Sequence, residues 1–268
     1  MKHDWSPGKV GAMSEEIELT HRGGVAVVRI NRPEKKNAVT FEMWEELLRH
    51  VRTIASSREV RAVVVTGADG SFCAGADLGS AGGSMSGLEI MRAVEEVVMA
   101  LYRLRKPTIA AVDGPAVGAG WNLALCCDLV FATERASFGQ VFARRGLSVD
   151  FGGSWLLPRL VGSQRAKELM FSSRLLGAGD AMDLGVVSRV LDVEGFEESV
   201  FEFADELAHG PTLALGFTKE LINTSFEHSL EESLRGETLA QSLTLKSKDA
   251  GEGARAFREK RDPEFVGY

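Results

Sequence analysis

Residues 106–132, KPTIAAVDGPAVGAGWNLALCCDLVFA, decide how the chain is read. After Pro107, the apolar run Thr108 to Val112 predicts a buried strand. Asp113, Gly114 and Pro115 signal a turn. Gly118-Ala119-Gly120 then leads into Trp121 to Cys126, an apolar run that predicts the start of a helix. Strand, glycine-bearing turn and helix start, in that order, leave unpaired backbone N–H groups at the helix N-terminus. With no side chain on Gly118 or Gly120, a substrate oxygen can come close to those groups. Negative charge developing on that oxygen is stabilised by the donors and by the helix dipole. A lone GxG is more often the sequence of a tight turn whose glycines only let helix and strand pack. The rest of the chain must decide.

Toward the N-terminus, Ile17 to Thr20 and Val25 to Ile30 flank Gly23-Gly24 and predict a β-hairpin. Thr40 is an N-cap candidate for a helix with apolar positions Met43, Leu47, Leu48, Val51 and Ile54. Val60 to Thr66 is a β-branched run expected of a central strand buried on both faces. Gly67 to Gly83 is rich in glycine and serine, and Leu88 to Leu104 predicts a second amphipathic helix. Toward the C-terminus, Asp128 to Ala132 adds a strand. The sequence of elements so far, β-α-β-α-β-α-β, favours an α/β fold with parallel strands and intervening helices. Beyond Gly152 the pattern turns helical: 155–160, 163–171, 178–184, a last strand at 186–190, then 197–208, 212–227, 230–246 and 249–260. The organisation expected is a flexible extension over 1–15, a core over 16–208 and a helical C-terminal region over 209–268.

With 268 residues the chain can bury a large core, and its net charge of −7 argues against nucleic acid as a partner. No apolar run is long enough for a membrane span, and no signal-peptide core precedes the first strand. Cys73, Cys126 and Cys127 form no CxxC and read as reduced thiols of a cytoplasmic protein. No metal, flavin or nicotinamide site is implied.

Four stretches in order, SFCAGADL (71–78), the central IAAVDGPAVGAGWNLALCCDLVFA, ASFGQ (136–140) and GLSVDFGGSWLLPRLVG (146–162), resemble the enoyl-CoA hydratase/isomerase (crotonase) superfamily. The resemblance runs from about Ile17 to Phe265. It implies a spiral of ββα units with a helical C-terminal region that builds homotrimers or pairs of trimers. It also implies acyl-CoA thioester substrates, with CoA entering as part of the substrate, and an oxyanion hole of two backbone N–H groups. By position these belong to Ala76 and Ala119. The resemblance further places Ala74, Gly75, Ala76, Asp77 and Leu78 around the adenine end of CoA, with Gly118 beside the thioester and Arg32 near the phosphates. Phe257 and Lys260 match positions that reach the CoA of a neighbouring subunit.

Hydratases of this superfamily use two glutamates to add water across a double bond. The first position is here Asn122 and the second Phe142. Asparagine can hold a hydrogen bond but is no base, and phenylalanine does neither. Asp150 instead falls where isomerase members carry a catalytic aspartate. Its segment resembles in particular the ring-1,2-epoxyphenylacetyl-CoA isomerase branch, which shares the D-x-GG-[ST]-WLLPR pattern. One base and an oxyanion hole suffice to move a double bond, and burial among Val149, Phe151 and Phe142 would raise the pKa of that base. A helix N-cap over Gly152 to Trp155 is the alternative role for Asp150. The expected activity is therefore enoyl-CoA isomerisation through a thioester enolate. A hydratase with an atypical site and a non-catalytic acyl-CoA binding protein are the alternatives. A dehalogenase-type reaction is disfavoured, because that branch pairs its aspartate with a tryptophan at the Phe142 position and with a histidine. Residues 84–104 contain no histidine.

Overall fold

The computed structural model describes residues 16–79 and 85–268. The expected N-terminal extension and the end of the glycine- and serine-rich stretch lie outside the described residues. The hairpin is present as β1 (Ile17–Arg22) and β2 (Val25–Ile30), antiparallel, with Gly23 at φ +57° in its turn. Helix α1 (Phe41–Ser56) begins at Thr40, whose hydroxyl accepts the Met43 N–H at 3.3 Å. It crosses over to β3 (Ala62–Gly67), which lies parallel to β2. Helix α2 (Gly87–Tyr102) leads to β4 (Thr108–Val112), and β6 (Leu129–Thr133) and β9 (Arg189–Leu191) extend the sheet in parallel. The order across the sheet is β1-β2-β3-β4-β6-β9.

Every residue of β3 is buried, because both of its faces are covered. Val63 and Val65 point into the larger core with α1 and α2, together with Val28, Ala110 and Val112. Ala62 and Val64, one residue out of phase, point the other way with Ile109, Ala111 and Phe131. That second face is closed by Phe196, Val200, Ala204 and Ala208 of α7 (Phe196–His209). Burying each large side chain contributes about 1.5–3 kcal/mol, so the β-branched run fixes the centre of the sheet.

A second, three-stranded sheet was not legible in the sequence. Pro115–Val117, of which only Pro115 was read above, as part of a turn, forms β5, parallel to β7 (Ser137–Gly139), which pairs antiparallel with β8 (Leu175–Gly177). Three-residue strands carry too short a pattern to detect, and Pro115 is tolerated as the first residue of a strand. Between these strands run α3 (Ala119–Cys126), α4 (Gly153–Val161) and α5 (Ser163–Ser172), and α6 (Ala178–Asp183) follows β8. The chain ends in α8 (Thr212–Thr224), α9 (Leu230–Thr244) and α10 (Lys248–Glu259). The helix expected over 212–227 closes at Thr224, and Ser225–Glu227 is a 3-10 turn. Among the described residues no helix is long and apolar enough to cross a membrane.

Candidate active site

The candidate site forms where the loop after β3 meets the turn before α3. Residues 72–77 are stitched in on two sides. Ala74 N–H donates to Lys36 O at 3.0 Å, Val39 N–H to Gly75 O at 2.8 Å, and Asp77 N–H to Val39 O at 2.9 Å. On the other side, Cys73 N–H donates to Pro115 O and Val117 N–H to Cys73 O, both at 3.0 Å. Asn37, fully buried at φ +57°, ties the loops together by donating to Ala68 O and Ser71 O. In such an extended segment alternate N–H groups point to opposite sides. Gly75 O and Asp77 N–H face Val39, so the Ala76 N–H faces away, and it donates to no acceptor among the described residues. The Ala119 N–H is the first of α3 and likewise has no acceptor there.

Glycine lets the two segments that carry these N–H groups pack closely. A Cβ on Gly120 would sit 2.2 Å from Cys73 O, so α3 can lie against the 72–77 loop only without one. Gly118, the residue before α3, has φ 58° and ψ −128°, a conformation essentially confined to glycine. The Phe142 ring lies over this turn, 3.8 Å from where a Gly118 Cβ would be.

Asp150 follows a 3-10 turn over Phe142–Arg145 and precedes α4. It does not cap that helix: α4 has Gly152 as its N-cap and receives no side-chain cap, while Gly153 N–H bonds to the Asp150 backbone oxygen at 3.0 Å. The capping alternative is thereby excluded. The carboxylate is half-buried, its Oδ1 is buried without a hydrogen-bond partner, and burial pushes its pKa up to about 6. The backbone turns sharply beside it, with Phe151 at φ +48° and Gly152 at φ +76°. A left-handed phenylalanine costs about 1–2 kcal/mol. Its buried ring is held against Trp44 of α1, centroids 4.9 Å apart.

Asn122, expected at the substrate, is fully buried, and both ends of its amide are spent within the protein. Its Nδ2 donates to Asp150 O at 2.9 Å and its Oδ1 accepts from Gln140 Nε2 at 2.7 Å. Gln140, quoted above only as part of a motif, is the residue that sequence reasoning missed. Arg32 is also engaged: it donates to Asp77 Oδ2 at 2.7 Å and to Ala38 O at 3.1 Å, with Glu16 at 3.2 Å and Glu34 at 3.6 Å. Its hydrogen bond, then that of the Gly79 N–H, holds the Asp77 carboxyl below the usual range. The Arg32 charge is thus compensated before any phosphate arrives, whereas Lys35 and Lys36 are exposed on the same loop. Ala74 is half-buried and Leu78 exposed on this rim. Cys73 lies beneath it, fully buried, and burial pushes its thiol up to about 12, so it is no nucleophile. Phe257 is 86% exposed on α10 and Lys260 follows that helix at φ +54°. The buried acids of α10, Asp249 and Glu252, bind the C-terminal tail at Val266, Gly267, Arg261 and Glu264. Within one chain α10 does not join the donors and Asp150.

The arrangement offers two backbone N–H groups without acceptors among the described residues, on segments packed against each other, and a carboxylate of raised pKa whose backbone is held by α3. A family model described as enoyl-CoA hydratase/isomerase matches residues 20–267. The 1,2-epoxyphenylacetyl-CoA isomerase of Escherichia coli is 36% identical over 94% of this chain and 99% of that protein. A 4-chlorobenzoyl coenzyme A dehalogenase of Arthrobacter is 38% identical over 80% of each chain. Among solved structures, an enoyl-CoA hydratase from Bacillus anthracis superposes with a TM-score of 0.89 at 33% identity, covering 95% of this chain and all of that one.

Proposed function

Because the chain belongs to the enoyl-CoA hydratase/isomerase family, we propose that it moves a carbon–carbon double bond within an acyl-CoA thioester. Asp150 is the acid/base in this reading, and the Ala76 and Ala119 N–H groups hold the thioester oxygen. Taking a proton from C2 of a 3-enoyl thioester places negative charge on that oxygen. A preorganised donor aimed there contributes about 3 kcal/mol. The protonated Asp150 then returns the proton at C4 of the dienolate, giving the 2-enoyl product with no net gain or loss of atoms. A carboxyl of pKa about 6 is suited to both halves of this cycle.

The observation that carries the reading is the Asp150 carboxylate itself. It is half-buried, its Oδ1 is unpaired, it caps no helix, and its backbone is anchored to α3, the helix that begins with Ala119. Asn122 and Phe142, at the two positions where hydratases keep glutamates, supply no second carboxylate. Phe142 and the absence of histidine from residues 84–104 set the chain apart from the dehalogenase pattern as well. CoA enters as part of the substrate. Leu230, Leu239 and Phe257, exposed by 76%, 67% and 86% in the C-terminal helices, support assembly into a homotrimer or a pair of trimers.

Purified protein and Asp150→Asn, each incubated in deuterated water with 3-enoyl-CoA, 2-enoyl-CoA and 4-chlorobenzoyl-CoA, test the reading by mass spectrometry and chloride release. The expected result is 3-enoyl to 2-enoyl conversion with deuterium incorporation, abolished in the variant. Dominant hydration, chloride release or tight binding without turnover would each replace it with one of the other readings.

A further inference from the structure

We propose that Gln140 and Asn122 are positioning residues, a buried amide relay that fixes the backbone of Asp150 and so aims its carboxylate. The inference rests on the isomerase reading. The relay has a direction: Gln140 Nε2 donates to Asn122 Oδ1 at 2.7 Å, and Asn122 Nδ2 donates to Asp150 O at 2.9 Å. The neutral amide of Asn122 accepts at one end and donates at the other. A carboxylate at 122 would accept from Gln140 but could not donate to Asp150.

Three further observations bear on it. First, the Asp150 side chain does not anchor itself, since its Oδ1 has no partner. Its direction is therefore inherited from its backbone, held by Asn122, by the Gly153 N–H, and by the Phe151 ring on Trp44. Second, the loop is shaped to receive the amide: a Cβ on Gly153 would fall 2.5 Å from both Asn122 Nδ2 and Oδ1. Third, Gln140 is fully buried and its Oε1 has no partner. An unpaired buried carbonyl is destabilising, and an apolar side chain of the same length would remove it while leaving Asn122 Oδ1 without its donor, an exchange of one buried orphan for another that is about neutral for folding. What an apolar residue could not do is donate to Asn122. Because Asn122 lies in the first turn of α3, the relay joins the base to the helix that begins with the Ala119 donor.

Gln140→Met separates positioning from folding, because it keeps the side-chain length while removing both the Nε2 donor and the orphan Oε1. The expected result is a thermal midpoint within a few degrees of the parent's, because the orphan Oε1 is removed as Asn122 Oδ1 loses its donor, and a KM within about twofold. The kcat for 3-enoyl-CoA is expected to fall by about tenfold or more, as misplacement of a reacting group predicts. Asn122→Asp places a second carboxylate beside Asp150, where burial alone now acts and no charged group among the described residues contributes. The acid limb of its kcat/KM profile is expected to move to higher pH. If the parent turns over no enoyl-CoA, the isomerase reading fails by itself. The relay is then judged by the carboxyl 13C titration of Asp150, which should move upward in Asn122→Asp. Parental kcat in Gln140→Met, or in the inactive case an unmoved Asp150 titration, overturns the relay. Should Asn122→Asp not fold, Gln140→Met is judged by the same carboxyl titration, which should shift or broaden if Asp150 loses its fixed place.

Discussion

Gly75 faces the Ala119 amide with no room for a side chain between them: a Cβ on Gly75 would lie 3.4 Å from the Ala119 amide nitrogen and 3.0 Å from Val117 O. The two segments that carry the candidate donors are therefore set against each other by a missing side chain, at a residue whose φ of +90° also favours glycine. The spacing of the donors depends on that contact.

Gly75→Ala is accordingly expected to harm catalysis more than folding. The new methyl must push the turn at 117–119 away or force the backbone, at about 1–2 kcal/mol for the left-handed conformation. The contacts at 3.0 and 3.4 Å require a shift of a few tenths of an ångström, worth about tenfold in rate where 1 Å costs about a hundredfold. We expect kcat/KM for 3-enoyl-CoA to drop about tenfold while the protein still melts cooperatively. Parental kcat/KM in a folded variant would show that the Ala76 and Ala119 donors do not act together.

The C-terminal helices expose Leu230, Leu234, Leu239 and Leu243, more apolar surface than an isolated chain ordinarily leaves in water. Leu239→Asp combined with Leu243→Asp should shift the sedimentation velocity of the protein toward that of a single 29.0 kDa chain. Circular dichroism should be unchanged, because neither side chain belongs to the core. Sedimentation unchanged from the parent would place any assembly surface elsewhere.

The legible parts of this molecule were those with a period or a motif. The β-branched run around Val63 announced a strand covered on both faces, and Thr40 announced its helix, because each signal is local. The glycines of the central stretch were also legible as a place where backbone comes close, as Gly120 does to Cys73 O, whereas Ala76 and Ala119 were named from the resemblance. What could not be read was pairing between distant residues. Nothing in the chain indicates that Asn122 reaches back to Asp150, or that Gln140, 18 residues on, completes the bond. The partner of Arg32 was hidden for the same reason: Asp77 is 45 positions away. A guanidinium that looks free for phosphate in sequence is paired once the fold closes.

Trp44 and Phe151 give a test of how the base is supported from the outside. The Phe151 backbone is left-handed, and the ring contact at 4.9 Å offsets that cost. Trp44→Ala removes a side chain left only 3% exposed, which should destabilise the protein by about 3–5 kcal/mol. Below the new melting temperature, kcat should fall with KM little changed, because the turn next to Asp150 loses its anchor. Phe151→Gly should behave differently: it relieves the left-handed strain and so loses less stability, yet lowers kcat as well. A kcat preserved in both variants would show that this contact serves folding alone.

Asp150 should make the protein less stable in the pH range where it is active. Its folded pKa, about 6, lies above the ordinary value of 3.8 because burial disfavours the charged form. Below about pH 4 the group is protonated in both folded and unfolded chains and contributes nothing to the difference. As pH rises from 4 to 6 the unfolded chain ionises freely while the folded one lags, so stability falls. Above 6 the full cost is present, about 3 kcal/mol for a shift of about two units. Asp150→Asn has no such charge to bury. Urea unfolding of the two proteins should therefore give a variant more stable than the parent by up to about 3 kcal/mol at pH 8, with the gap shrinking toward zero near pH 4. The parent's kcat/KM should in turn fall below pH 6, as its base becomes protonated. Equal stabilities at pH 8 would mean that the carboxylate is solvated in the folded protein, and its assignment as a proton shuttle tuned by burial would fall with that result.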